Sequence, residues 1–222
     1  MDVILIGGLW LTSQVWDEVA RALRELGHRP IAVRLPGADD GDRTATLSEQ
    51  LGAVLAAVDA ADRPVVVGHS AASTLAWLAT DRRAEAVSRV VLIGGFPSGP
   101  GEAYAGFFPV QDGVMAFPGW EPFEGPDSAD LSEEARAALA RDAVPVPEGV
   151  ATAPVEYTDP RRFSVPVTLV CPEFGPEEAK AWIAAGDVPE LAEAAIDFVD
   201  LDSGHWPMIT KPAELARLLV GG

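Results

Sequence analysis

The chain has 222 residues, a net charge of −18 and 48% hydrophobic residues, enough apolar material for a core. The acidic balance excludes the clustered Lys/Arg footprint that nucleic acid or anionic lipid needs. A single cysteine, Cys171, and three histidines, His28, His69 and His205, exclude an internal disulfide and a cysteine zinc cluster. The N-terminus carries an acid at position 2 and only a short apolar run, and no long apolar stretch follows. Neither a secretory signal nor a membrane span is therefore expected, and a cytoplasmic protein is.

In chain order, residues 3–6 read as a buried strand ending in Gly7-Gly8. Ser13 is placed to cap a helix running to about Leu26, where Gly27 ends it. Residues 31–35 read as a second strand. Thr46-Leu47-Ser48-Glu49 is a capping box before a helix carrying Leu51, Val54 and Val58. Residues 64–67 form a third strand running into Gly68-His69-Ser70, with a helix after Ala71. Residues 89–93 form a fourth. The pattern breaks over 96–163, which is rich in Pro, Gly and aromatics and has one clear helix near 132–141. A strand over 165–171, a helix near 177–185, a helical turn around 189–194, a strand over 196–201 and a helix over 212–220 complete the chain.

Six apolar strands alternating with helices imply a three-layer α/β sandwich with a mostly parallel sheet, one domain over 1–222 and a lid insertion over 96–163. Ligands of such sheets lie beyond the carboxyl ends of the strands. Three segments there carry chemistry.

Gly68-His69-Ser70-Ala71-Ala72 joins a strand to a helix, the context of a nucleophile elbow. A sharp turn there needs small residues on either side of Ser70, and Gly68 and Ala72 are small. Asp202-Ser203-Gly204-His205-Trp206-Pro207 follows the last strand, so His205 can reach toward Ser70 as a general base. Gly7-Gly8-Leu9-Trp10 follows the first strand. Its Leu9 N–H, with that of Ala71, is the candidate oxyanion hole.

The segments VILIGGLWLTSQVW, PVVVGHSAAS, VPVTLV and LDSGHWPM make the chain resemble the α/β-hydrolase fold superfamily. More narrowly, it looks like the small, short-capped esterase branch of plant methylesterases, hydroxynitrile lyases and bacterial relatives. The resemblance implies the strand order 2-1-3-4-5-6, Ser70 as nucleophile, His205 as base, and Leu9 and Ala71 as oxyanion donors. It also implies an Asp shortly after the fifth strand. That segment reads Cys171-Pro172-Glu173-Phe174-Gly175, with no Asp, so Glu173 is assigned as the orienting acid. Glu177 and Glu178 look like first-turn helix residues, and Asp200 and Asp202 look like loop hydrogen-bonders.

The insertion is expected to line a substrate pocket with Phe107, Phe108, Phe117 and Trp120, joined by Trp10 and Trp206. The acids of 121–142 read as a solvated face. The reading is a serine hydrolase for a small or medium ester-type substrate, with no metal, organic cofactor, nucleic acid or membrane partner. A lyase on the same fold and a ligand-binding protein with a degenerate triad are the alternatives.

Overall fold

Short β-branched runs such as Val65-Val66-Val67 bury both faces, which a parallel sheet covered by helices on each side requires. The computed structural model describes residues 1–221 and contains that sheet. Its strands are β1 (Asp2–Ile6), β2 (Arg29–Ala32), β3 (Val65–His69), β4 (Arg89–Ile93), β5 (Val167–Cys171) and β6 (Ile196–Asp200). Numbered among themselves, they lie in the order 2-1-3-4-5-6, and every neighbouring pair is parallel. The central strands β3 and β5 are buried throughout, whereas the edge strands β2 and β6 are partly exposed.

Alternation along each strand divides the core between two faces. Ile4, Ile6, Val66 and Leu92 pack with α2 (Leu47–Asp59) and α3 (Ala72–Arg82). Val3, Leu5, Val65, Val67 and Ile93 pack with α1 (Asp17–Glu25) and the C-terminal helix over Pro212–Val220. The Thr46 capping box forms as expected: Thr46 Oγ1 accepts from Glu49 N, and Glu49 Oε2 accepts from Thr46 N at 2.8 Å. The C-terminal helix has the predicted bounds.

Three local expectations change. Ser13 does not cap a helix; its hydroxyl donates to Asp39 Oδ1 at 2.6 Å, and a 3-10 turn over Ser13–Trp16 leads into α1. Strand β2 stops at Ala32 because Leu35 N donates to Asp39 Oδ2 at 2.8 Å instead of continuing the ladder, and Pro36 has no N–H to give. Strand β5 starts at Val167 because Pro166 lacks a donor.

The segment between β4 and β5 contains α4 (Glu133–Asp142), capped by Ser132, and α5 (Glu148–Ala151). An antiparallel ribbon of Val114–Met115 and Val146–Pro147 also lies within it. Its return to the sheet is pinned by a buried network. Arg162 pairs with Asp81 at 3.3 Å and with Glu190 at 3.1 Å, and Trp77 Nε1 donates to Glu190. No described helix is long and apolar enough to cross a membrane.

Candidate active site

The turn from β3 into α3 is as tight as the small residues require. Ser70 has φ +54, a left-handed conformation that costs a non-glycine residue energy and that the surrounding structure must enforce. Ser70 N donates to Ile93 O at 2.8 Å, and Ser70 O accepts from Ser73 N at 2.9 Å. The chain then crowds the elbow from two sides. A Cβ at Gly68 would lie 2.3 Å from Ala72 O, and one at Gly95 would lie 2.4 Å from Ser70 O. Gly8 is close as well, because its Cβ would come within 3.2 Å of Ser70 Cβ. The loop after β1 therefore lies directly against the elbow. Among the described residues, neither Leu9 N–H nor Ala71 N–H has an intramolecular acceptor. Trp10, just beyond, has φ +63, and its indole N–H donates to Met115 O at 3.2 Å.

The loop between β6 and α7 (Pro207–Thr210) carries His205. Its Nδ1 lies 2.6 Å from Glu173 Oε1, at the end of β5. The two side chains are each 12% exposed, so water screens the pair weakly. Gly94 (φ +56) leaves room for them; a Cβ there would lie 3.1 Å from Glu173 Oε2 and 3.2 Å from His205 Nδ1. Gly94 thus touches the His205–Glu173 pair and Gly95 touches Ser70, so one dipeptide separates them. Ser70 Oγ and His205 Nε2 make no hydrogen bond among the described residues. Such contacts often tighten only when substrate binds.

Glu177 and Glu178 are engaged elsewhere, and among the described residues the Asp200 and Asp202 carboxylates accept no hydrogen bond. Glu177 pairs with Lys180 at 2.7 Å, and Glu178 Oε2 accepts from Gly175 N at 2.9 Å. Asp200 ends β6 opposite Cys171. Burial, helped by the charges of Asp200 and Glu173, pushes the Cys171 thiol up to about 12, which leaves it protonated and inert.

The aromatic residues close on one another. The Trp10 ring lies 5.5 Å from Phe108, 5.4 Å from Phe117 and 6.0 Å from Phe123. Trp206 lies 5.3 Å from Trp120, 5.5 Å from Phe123 and 5.0 Å from the His205 ring. The cavity bounded by Leu9, Trp10, Phe117, Trp120 and Trp206 holds only about 10 Å3. An adjoining one, between Gly8, Trp10, Tyr104 and Val146, holds about 20 Å3. Between these rings little space is left in this conformation, although Trp10 also borders a cavity of about 320 Å3 with Leu11, Val15 and Met208. Phe107 is a further correction, for it is 63% exposed. Its neighbour Phe108 takes the position facing Trp10, and a tight turn does not present both rings to one partner. Phe108 also borders a surface cavity of about 370 Å3 with Arg43, Pro109 and Gln111.

Two residues near the site were missed as participants. His69 is 1% exposed, and its Nε2 lies 2.7 Å from the carbonyl oxygen of His205. Strand parity could have revealed it, since His69 shares a face with Val65 and Val67. Asp127, in the acidic stretch read as solvated, accepts from His205 N through its main-chain oxygen at 2.7 Å. Its carboxyl is pushed up by burial, against the lowering effect of His205. Nothing in the local sequence separates Asp127 from the acids around it. His28 is half-buried. Among the described residues, no group of three or more His, Cys, Asp or Glu side chains could hold a metal ion.

The family profile described as "Alpha/beta hydrolase family" matches residues 3–218. No protein with a curated description matches the chain. Among solved structures, an extracellular alpha/beta-hydrolase from a Paenibacillus species is similar over 99% of this chain and 98% of its own, with a TM-score of 0.79 and 18% identity. That protein is described as sharing structural and functional homology with tobacco salicylic acid binding protein 2. A pyrethroid hydrolase from Sphingobium faniae is similar over 99% and 96%, with a TM-score of 0.68 and 18% identity. Tomato methylketone synthase I, in complex with 2-tridecanone, is similar over 99% and 96%, with a TM-score of 0.72 and 16% identity. At these identities the likeness concerns the fold.

Proposed function

The chain belongs to the alpha/beta hydrolase family, and from that premise we propose that it is a serine hydrolase cleaving small or medium ester-type substrates through an acyl-enzyme. Ser70 is the nucleophile, His205 the base and Glu173 the orienting acid. Glu173 accepts the Nδ1 proton of His205, which leaves the Nε2 lone pair free. Nε2 takes the Ser70 hydroxyl proton as Oγ attacks the substrate carbonyl. Negative charge then develops on that oxygen, and the Leu9 and Ala71 N–H groups receive it. The imidazolium gives its proton to the leaving alcohol, and water, activated by the same His205, releases the acyl group.

The observation that carries this reading is the 2.6 Å contact between His205 Nδ1 and Glu173 Oε1, because it gives the base a defined tautomer despite the missing Asp. It also weighs against a ligand-binding protein with a degenerate triad. The insertion over 96–163 acts as the lid of a single domain over 1–222. Its aromatic wall, including Trp10, Phe108, Phe117, Trp120 and Trp206, must open to admit a small ester. No metal, organic cofactor, nucleic acid or membrane takes part, and the protein works in the cytoplasm, which cell fractionation tests. A fluorophosphonate probe should label the wild type and spare Ser70→Ala. Equal labelling of both sinks the nucleophile assignment.

A lyase on the same fold is the second reading. It is favoured by the lack of a hydrogen bond between the Ser70 and His205 side chains and by the synthase among the similar structures. Turnover of a non-ester substrate with no acyl-enzyme burst selects it.

A further inference from the structure

We propose that His69 is a positioning residue that ties the base-bearing loop to the nucleophile elbow, by donating a hydrogen bond from its ring Nε2 to the main-chain carbonyl of His205. The inference rests on the serine hydrolase reading above and adds a residue to its machinery.

The geometry begins with strand parity. Val65 and Val67 face the side of the sheet where α1 and the C-terminal helix pack, and Leu201, Trp206 and Met208 belong to that same core. His69 continues this parity at the last position of β3. Its side chain therefore meets the β6–α7 loop from behind, one residue before Ser70. The two histidine rings are 4.9 Å apart, and Nε2 of His69 lies 2.7 Å from His205 O.

A carbonyl only accepts, so the proton is on Nε2 and Nδ1 carries the lone pair. That Nδ1 is buried without a partner, against Gly8, where a Cβ would come within 2.8 Å of it. The ring is also neutral. Burial, reinforced by the charge of His205, pushes its pKa down to about 3. A neutral donor holds the loop without repelling the imidazolium that forms on His205. The other titratable groups around this pair are Glu173, bonded to His205 Nδ1, and Asp127.

His205 is thus held at three points. Its N–H donates to Asp127 O at 2.7 Å, its Nδ1 meets Glu173 at 2.6 Å, and its carbonyl accepts from His69 at 2.7 Å. Only the His69 bond comes from the segment that also carries Ser70. It therefore sets the Ser70–His205 separation most directly, and proton transfer is sensitive to displacements of about 1 Å.

The test separates donor position from mere bulk. The terminal nitrogen of Gln reaches about as far as Nε2, whereas that of Asn reaches only to the Nδ1 position. The rate of fluorophosphonate labelling and the kcat and KM for p-nitrophenyl butyrate are measured for His69→Gln, His69→Asn and His69→Phe. Phe and Asn should lower labelling rate and kcat by about 10- to 100-fold with KM within about twofold, and Gln should stay within about threefold of wild type. Wild-type rates in the Phe variant overturn the proposal, as do equal losses in Gln and Asn. If the Phe variant fails to fold, the Gln–Asn pair carries the test alone. Unchanged labelling in Ser70→Ala overturns the underlying hydrolase reading instead, whatever the His69 variants do.

Discussion

Glu173→Gln isolates the acid on which the proposed mechanism depends. In that mechanism His205 starts as a neutral donor to Glu173 and, once the Ser70 proton moves, becomes an imidazolium facing a carboxylate across 2.6 Å. With both side chains only 12% exposed, an effective dielectric of about 20 and about 4 Å between charge centres make the ion pair worth about 4 kcal/mol. At 1.36 kcal/mol per decade that is about a thousandfold in rate. Gln keeps an acceptor oxygen, which recovers part of this. Its amide also has a donor end that, turned toward His205, favours the wrong tautomer. The expected fall in kcat is about 100- to 1000-fold, with KM little changed because the lost charge interaction forms only in the transition state. Steady-state hydrolysis of p-nitrophenyl butyrate, with the fluorophosphonate labelling rate as a check, measures it. Glu177→Gln and Glu178→Gln serve as controls and should stay within about twofold, since their carboxylates serve Lys180 and the α6 (Pro176–Ala185) cap. A Glu173→Gln variant within threefold of wild type refutes the reasoning.

Gly68→Ala should destabilise the fold by about 2 kcal/mol or more in urea denaturation, because the new Cβ meets main-chain oxygen at 2.3 Å. A wild-type midpoint would show that the elbow relaxes freely. Arg162→Met should cost about 3 kcal/mol by the same assay, since it leaves the buried Glu190 carboxylate without its cation, while Asp81 keeps Arg82. The activity of the folded fraction should survive, because this network lies at the far end of α3 from Ser70. The neutral His69 makes stability depend on pH. Its folded pKa of about 3 lies below its ordinary 6.5, so the unfolded chain takes up the proton first. The resulting stability is complete above pH 6.5 and is lost as pH falls toward 3. Between pH 7.5 and 4.5, wild type should lose about 3 kcal/mol more than His69→Phe. Parallel urea curves for the two proteins would contradict the buried neutral ring.

Much of the fold was legible because its signals are local. The Thr46–Glu49 box, the Pro212 start of the last helix and the valine runs of β3 and β5 each express a preference that neighbouring residues satisfy among themselves. The elbow was legible for the same reason, since a strand, a small-residue pattern and a helix are contiguous in the chain. Ser13 misled because its hydroxyl had a better partner in Asp39, 26 residues away.

The chain by itself therefore determined the six strands, the turn that presents Ser70 and the loop that carries His205. The sequence pointed to Glu173, but its contact with His205, and that of His69 with the His205 carbonyl, are made by the tertiary structure, across 32 and 136 residues of sequence. So was the closing of the aromatic residues into a wall instead of a pocket. The physical reason is reach. A turn or cap is settled by dihedral preferences within a few residues. A side-chain contact between elements depends on strand register, helix packing and tenths of an ångström that no short window encodes.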